Sequence, residues 1–259
     1  MSIDPVILAR SASSAPAPSS SVFDSWIVSA VKKLVPYSAW RLIRLALARI
    51  AADYIGGEAL FDIRFGTDTS GTVCASDLPW SSTSQSTGSG CRGTIPRHFR
   101  KLIGSLGIDY EHYIFVDFGS GKGRVLILAS GFPFQRVIGI ELFEQFHEVA
   151  IKNLQKCRAR SKCSRTESVC MDATAWDISP IPAVYYLYNP FPETVFRAVL
   201  SNIEASLRLH PRHIILIYGK FRPWVIAALN ESTTLHLVRY HMDRVDERCN
   251  YLIAESNTR

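Results

Sequence analysis

Cysteine is scarce in this chain of 259 residues: there are six, and no two of them stand as Cys-x-x-Cys. A disulfide-built scaffold, a paired-cysteine zinc site and a dithiol redox motif are thereby excluded, and a reducing, cytoplasmic setting is expected. Long apolar runs are also lacking. The best stretch is interrupted by Arg41, Arg44 and Arg49, well short of the ~20 apolar residues needed to span a bilayer. The opening MSIDPVILAR has no basic leader ahead of an apolar stretch, so no secretory signal is expected. Histidine never recurs as His-x-x-x-His, His210 and His213 merely flank Pro211, and no metal is expected.

What the chain does have is core material, with 47% hydrophobic and 20% charged residues. Its +6 net charge, 29 basic against 23 acidic side chains, is weak evidence for any particular partner. Composition divides the chain into four stretches. Residues 1–21 include SASSAPAPSSS, which cannot bury enough surface to offset its ordering entropy, and read as a disordered tail. Residues 22–57 read as an amphipathic helical extension. Phe23, Trp26, Ile27, Ala30, Val31 and Leu34 share one helical face; after Pro36 the pattern resumes at Trp40, Ile43, Leu47, Ile50 and Tyr54, with Gly56-Gly57 as its stop. The basic face (Lys32, Lys33, Arg41, Arg44, Arg49) suits peripheral membrane contact, although packing on the main domain is the preferred reading.

Residues 58–94, rich in Ser, Thr and Gly after Gly66, read as a lid or a loose loop, and 95–259 as the main domain. From Tyr113 onward β-rich runs (YIFVD, RVIGIE, AVYYLY, HIILIYG) alternate with helical patterns, and LHLVRYH and CNYLIAE follow with no helix between them. The expected fold class is α/β: a doubly wound, mostly parallel seven-stranded sheet with an antiparallel edge hairpin.

The most informative run is FVDFGSGKGR. An apolar strand ends at Asp117 and enters Gly119, Ser120, Gly121 and Gly123 before a helix expected from Lys122, and Glu141 follows 22 residues after Gly119 at the end of the next strand. Glycines at a strand-to-helix turn let a ligand lie against bare backbone, and a carboxylate at that spacing suits a ribose diol. A dinucleotide site needs a glycine where Arg124 stands, so a nicotinamide-dependent oxidoreductase is disfavoured.

The Asp-x-Gly-x-Gly-x-Gly pattern resembles motif I of the class I (Rossmann-like) S-adenosylmethionine-dependent methyltransferases, and the resemblance runs from about Phe115 to the final hairpin. It is similar to small bacterial members with a VDFGSGKGR-like loop, a YNPF-like fourth strand and an upstream FD-x-R-x-G-x-DT-x-G segment, here Phe61 to Gly71. The resemblance implies S-adenosyl-L-methionine as cofactor. Asp117 and the Gly119, Gly121 and Gly123 backbone would surround its methionine part, Glu141 its ribose, and Asp172 its adenine amino group. The alternative for Asp172 is a turn or helix-capping residue.

YNPF resembles the Asp/Asn-Pro-Pro-Tyr/Phe motif of amino-nitrogen methyltransferases, with Phe191 in place of the second proline. It implies that Asn189 and the Pro190 carbonyl orient an acceptor nitrogen and that Phe191 covers it. The acceptor itself, whether protein, RNA or small molecule, is left open. The rival reading is a non-catalytic S-adenosylmethionine-binding sensor or scaffold. Arg64 or Asp68 is expected to contribute to a lid over the cofactor, with an ordinary turn as the alternative. Tyr185 and Tyr186 read as half-buried strand residues. The basic run Lys152, Lys156, Arg158, Arg160, Lys162 and Arg165 reads as a solvated helix end at the amino edge of the sheet.

Overall fold

A computed structural model describes residues 57–71, 93–244 and 246–257; the expected tail, nearly all of the helical extension and most of the 58–94 segment lie outside them. The chain enters at α1 (Gly57–Phe65) and α2 (Pro96–Gly104), followed by β1 (Ile114–Phe118), α3 (Arg124–Ala129), β2 (Arg136–Glu141), α4 (Glu144–Cys157) and β3 (Thr166–Cys170). It continues through β4 (Ala183–Tyr188), α5 (Glu193–Leu209), β5 (Ile214–Gly219), α6 (Pro223–Glu231), β6 (Leu235–His241) and β7 (Tyr251–Ser256).

The seven strands lie in the order β3-β2-β1-β4-β5-β7-β6. Five are parallel, and β7 runs antiparallel to both β5 and β6, as the missing helix between the last two strands requires. Central strands read as unbroken apolar runs because helices cover both faces. Alternate residues feed two cores. Val116, Phe118, Tyr185 and Leu187 pack on one face with Phe196 and Ile203 of α5; Phe115, Val184 and Tyr186 pack on the other with Phe99 of α2 and Leu126 of α3. Tyr185 and Tyr186 are fully buried core residues, deeper than the half-buried position expected. The outer strand β6 is mostly exposed and carries a register shift between Leu237 and Arg239, which breaks the regular edge on which another chain could pair.

Three local differences from the sequence reading have physical causes. The 58–94 segment opens as helix α1, because Phe61 finds a buried place in the α2–α3 core. The helix after the glycine loop begins at Arg124 rather than Lys122, because Gly121 and Gly123 take left-handed φ values of 51° and 83° that a helix cannot contain. The third strand, expected near Ser168–Met171, is set two residues earlier by pairing with β2, Val137 opposite Thr166.

Candidate functional site: the carboxyl edge between β1 and β4

Strand order reverses direction between β1 and β4: from β1 the chain builds outward to β2 and β3, then returns to β4 on the other side. Loops leaving the carboxyl ends of those two strands must diverge, and the crevice between them is where open α/β sheets bind ligands. The two loops here are the glycine turn Gly119–Gly123 and the Asn189–Pro192 segment.

The glycine turn is fastened to the sheet from below. The Gly119 and Ser120 amides both donate to the Ile140 carbonyl (2.9 and 3.1 Å), and the Gly123 amide donates to that of Ser120 (3.0 Å). Gly119, Gly121 and Gly123 all have positive φ. Each also has a different neighbour. A Cβ on Gly119 would overlap the ring of Pro190, one on Gly123 would press on Ala150 of α4 at 3.0 Å, and one on Gly121 would meet open space. The middle glycine therefore presents bare backbone to the crevice, while the outer two allow close packing.

Two carboxylates flank this turn. Asp117 is 3% exposed and sits between Gly139 and Tyr186 in the sheet, and its carboxylate accepts no hydrogen bond from any described residue. Burial, and then the charge of Glu141, push its acidity well above the usual carboxylate range. Glu141, 5% exposed at the end of β2, accepts from the Gly121 amide at 2.7 Å and the Phe143 amide at 3.0 Å. Burial raises its pKa too, against the lowering effect of the Phe143, Gly121 and Leu142 amides. A carboxylate has about four acceptor sites, so Glu141 retains capacity for a further donor. Asp172, exposed after β3, caps a short 3-10 turn by accepting from the amide and hydroxyl of Thr174 through Oδ1 (both 2.8 Å). Its Oδ2 accepts no hydrogen bond from any described residue, so the capping role leaves one oxygen for a further donor. The buried hydroxyl of Ser120 lies under the turn against Gly139, with no partner among the described residues.

On the β4 side Asn189 is one of two described non-glycine residues with positive φ, at 48°; the other is Lys220, at 51°, after the adjacent strand β5. The kink turns the chain sharply out of the sheet, so Asn189, Pro190 and Phe191 stand half-buried at the crevice rim, with Phe191 packed on the α5 core. Tyr188 is anchored through its hydroxyl to the Arg248 carbonyl at 3.0 Å.

The upstream segment after α1 also reaches the glycine turn. Lys122 Nζ pairs with Asp68 (2.9 Å), and Arg124 Nε donates to the Thr69 hydroxyl (2.9 Å). Arg124 thus points away from the crevice toward Thr69 and the Thr94 carbonyl, so it replaces the dinucleotide glycine without obstructing the turn. Asn153 of α4 ties both pieces together, donating to the carbonyls of Asp68 and Lys122 and accepting from the Asp68 amide. The sequence reading missed Asn153. Its signal was a lone amide among the buried positions Ala150 and Cys157 of one helix face. Asp68 therefore meets the turn, whereas Arg64 lies at the opposite end of α3, near Ser130 and Gly131.

No protein-family model matches the chain, and no curated protein sequence matches it significantly. Among solved structures, it is similar to magnesium protoporphyrin IX methyltransferase from Synechocystis PCC 6803 with bound SAM, at 16% identity over 63% of this chain and 79% of that one, with a TM-score of 0.45. A putative RNA methyltransferase from Pyrococcus horikoshii is similar at 17% identity, over 63% and 81% of the two chains, TM-score 0.45. A glycopeptide N-methyltransferase complexed with S-adenosyl-L-homocysteine is similar at 14% identity, over 64% and 91%, TM-score 0.47. Likenesses this distant say nothing of what the present chain binds. Its own strand order and crossovers decide the architecture. The fold is a doubly wound, Rossmann-like α/β sheet.

Proposed function

We propose that the protein is an S-adenosyl-L-methionine-dependent methyltransferase acting on an amino nitrogen of a protein or other macromolecule. The observation that carries this reading is the left-handed glycine turn held between two buried carboxylates at the crevice, with Gly121 open and the Asp117 carboxylate without a donor among the described residues. A phosphate ligand is a poor match for this site, since its charge would further oppose ionisation of Asp117 and Glu141. A cationic, phosphate-free ligand carrying a ribose fits the same groups.

In this reading Asp117 and the Gly119–Gly123 backbone hold the methionine part, the remaining lone pairs of Glu141 take the ribose hydroxyls, and Asp172 Oδ2 takes the adenine amino group. The cofactor supplies a methyl already activated on a sulfonium. Transfer then needs an in-line lone pair more than acid-base assistance. Asn189, turned out of the sheet by its left-handed backbone, and the Pro190 carbonyl orient the acceptor amine, while Phe191 covers it and offers a ring face to positive charge.

Isothermal titration of the full chain with S-adenosyl-L-methionine and S-adenosyl-L-homocysteine tests the cofactor assignment, and the absence of saturable binding at millimolar ligand overturns it. Transfer of radiolabelled methyl to cell extract tests turnover and reports the acceptor class.

A further inference from the structure

At the amino edge, at the far end of α3 from the glycine turn, lies a cavity of about 420 Å³ that the proposed chemistry does not use. Arg64 of α1, Arg100 of α2 and Arg160 just after α4 line it, together with Ser130 and Gly131 at the end of α3. Two of these arginines are pre-positioned. Arg160 stacks over the Phe65 ring at 5.0 Å and donates to the Arg64 carbonyl at 3.1 Å, and Arg64 lies over the same ring at 5.6 Å.

Arginine at helix C-termini ordinarily caps carbonyls. Arg160 does this at the end of α1, but the carbonyls at the end of α3 are already taken: Leu126, Leu128 and Ala129 by the amides of Ser130, Gly131 and Phe132, and Ser130 by that of Lys162. Among the described residues, no carboxylate pairs with Arg64, Arg100 or Arg160. All three side chains are exposed at the lip of the cavity, and partial desolvation, with the neighbouring Arg64 charge, works against protonation of Arg100. Three guanidinium groups held together in this way lower their free energy by sharing an oxyanion. Three planar forks also match the three terminal oxygens of a phosphoryl group better than the two of a carboxylate. The volume falls in the range of small-molecule sites and exceeds what one inorganic ion fills, and the Phe65 and Leu128 side offers an apolar wall.

We propose that this amino-edge cavity binds a small organic phosphate, its phosphoryl oxygens held by Arg64, Arg100 and Arg160. The site is separate from the crevice at the carboxyl edge and stands whether or not the protein transfers methyl groups.

Titration of the full chain with pyrophosphate, in a phosphate-free buffer at physiological salt, tests it. Saturable binding is expected, tighter than for inorganic phosphate, with each of Arg64→Ala, Arg100→Ala and Arg160→Ala weakening it about tenfold or more. Arg160→Lys recovers only part of that loss, because a point charge cannot replace the fork. Lys152→Ala, which removes an exposed charge from α4 outside the cavity, leaves affinity unchanged. The proposal is overturned by absence of saturation at millimolar pyrophosphate, or by Lys152→Ala weakening binding as much as the cavity variants. Binding of a single-stranded RNA oligomer without pyrophosphate binding overturns it equally, since the arginines then belong to a nucleic-acid surface.

Discussion

Gly119 and Pro190 touch so closely that a single methyl group on the glycine would occupy the space of the proline ring. The two residues belong to the loops after β1 and β4, on either side of the point where the sheet reverses direction. Their contact joins the turn proposed to hold the cofactor to the segment proposed to hold the acceptor. Gly119→Ala must displace one loop or the other and also carries the left-handed strain of about 1–2 kcal/mol. Gly121→Ala carries the strain alone, because nothing lies within reach of its Cβ. In urea unfolding, Gly119→Ala is therefore expected to be the more destabilised variant, and acceptor KM to rise in Gly119→Ala but not in Gly121→Ala. Equal effects in both assays would show the contact to be unimportant.

If Asp117 faces a bound S-adenosyl-L-methionine as proposed, cofactor affinity is expected to depend on pH. Its folded pKa stands well above its unfolded value, so the group favours folding at acid pH, where it is protonated in both states without cost. That advantage is lost as pH rises through the folded pKa and a buried charge must form beside Glu141. A cationic ligand reverses the preference by stabilising the carboxylate. Binding of S-adenosyl-L-methionine should release a proton and tighten with rising pH until Asp117 is ionised in the free protein. Titration in buffers of different ionisation enthalpy measures this release. In Asp117→Asn the release should vanish, and an undiminished release would place the proton elsewhere.

Asn189 is assigned to the acceptor and not to the cofactor. Asn189→Ala should leave the Kd for S-adenosyl-L-methionine within about twofold and lower kcat by tenfold or more, on the order of 1.4 kcal/mol in the barrier. Because Asn189 holds a φ of 48°, alanine there also costs some stability. Asn189→Gly separates the two effects: it restores the backbone but not the amide, and should be as inactive as alanine while more stable. Loss of cofactor affinity in parallel with kcat would move Asn189 out of the acceptor role.

Asp62 organises the segment that reaches the glycine turn. Its carboxylate accepts from the Thr67 and Thr69 hydroxyls, the Ser70 hydroxyl, and the amides of Thr69 and Ser70. Burial works to raise its pKa, but the hydrogen bonds from Ser70, Thr69 and Thr67 outweigh it and hold the value at about 2. A depressed carboxylate stabilises the fold above its unfolded pKa and ceases to do so as pH falls through the folded value, here between the ordinary 3.8 and about 2. Asp62→Asn should cost about 1–2 kcal/mol at neutral pH and remove that part of the acid transition. It should also weaken the Asp68–Lys122 pair, which Lys122→Ala tests independently.

Much of this molecule was legible in its order of residues. Short, nearly unbroken apolar runs separated by helical stretches determined a parallel sheet, and the absence of a helical pattern between LHLVRYH and the final strand determined the antiparallel edge. Asp117, the three glycines and Glu141 marked one crevice, because strand ends and turns are local features and local chemistry writes them. Pairings across long separations in the chain could not be read. That Gly119 needs its hydrogen because Pro190 lies against it, that Asn153 clamps Asp68 to Lys122, and that Arg64, Arg100 and Arg160 converge from α1, α2 and the turn after α4 are facts of packing. Each depends on which elements the sheet brings side by side, a choice made by the burial of whole faces and invisible at any single residue.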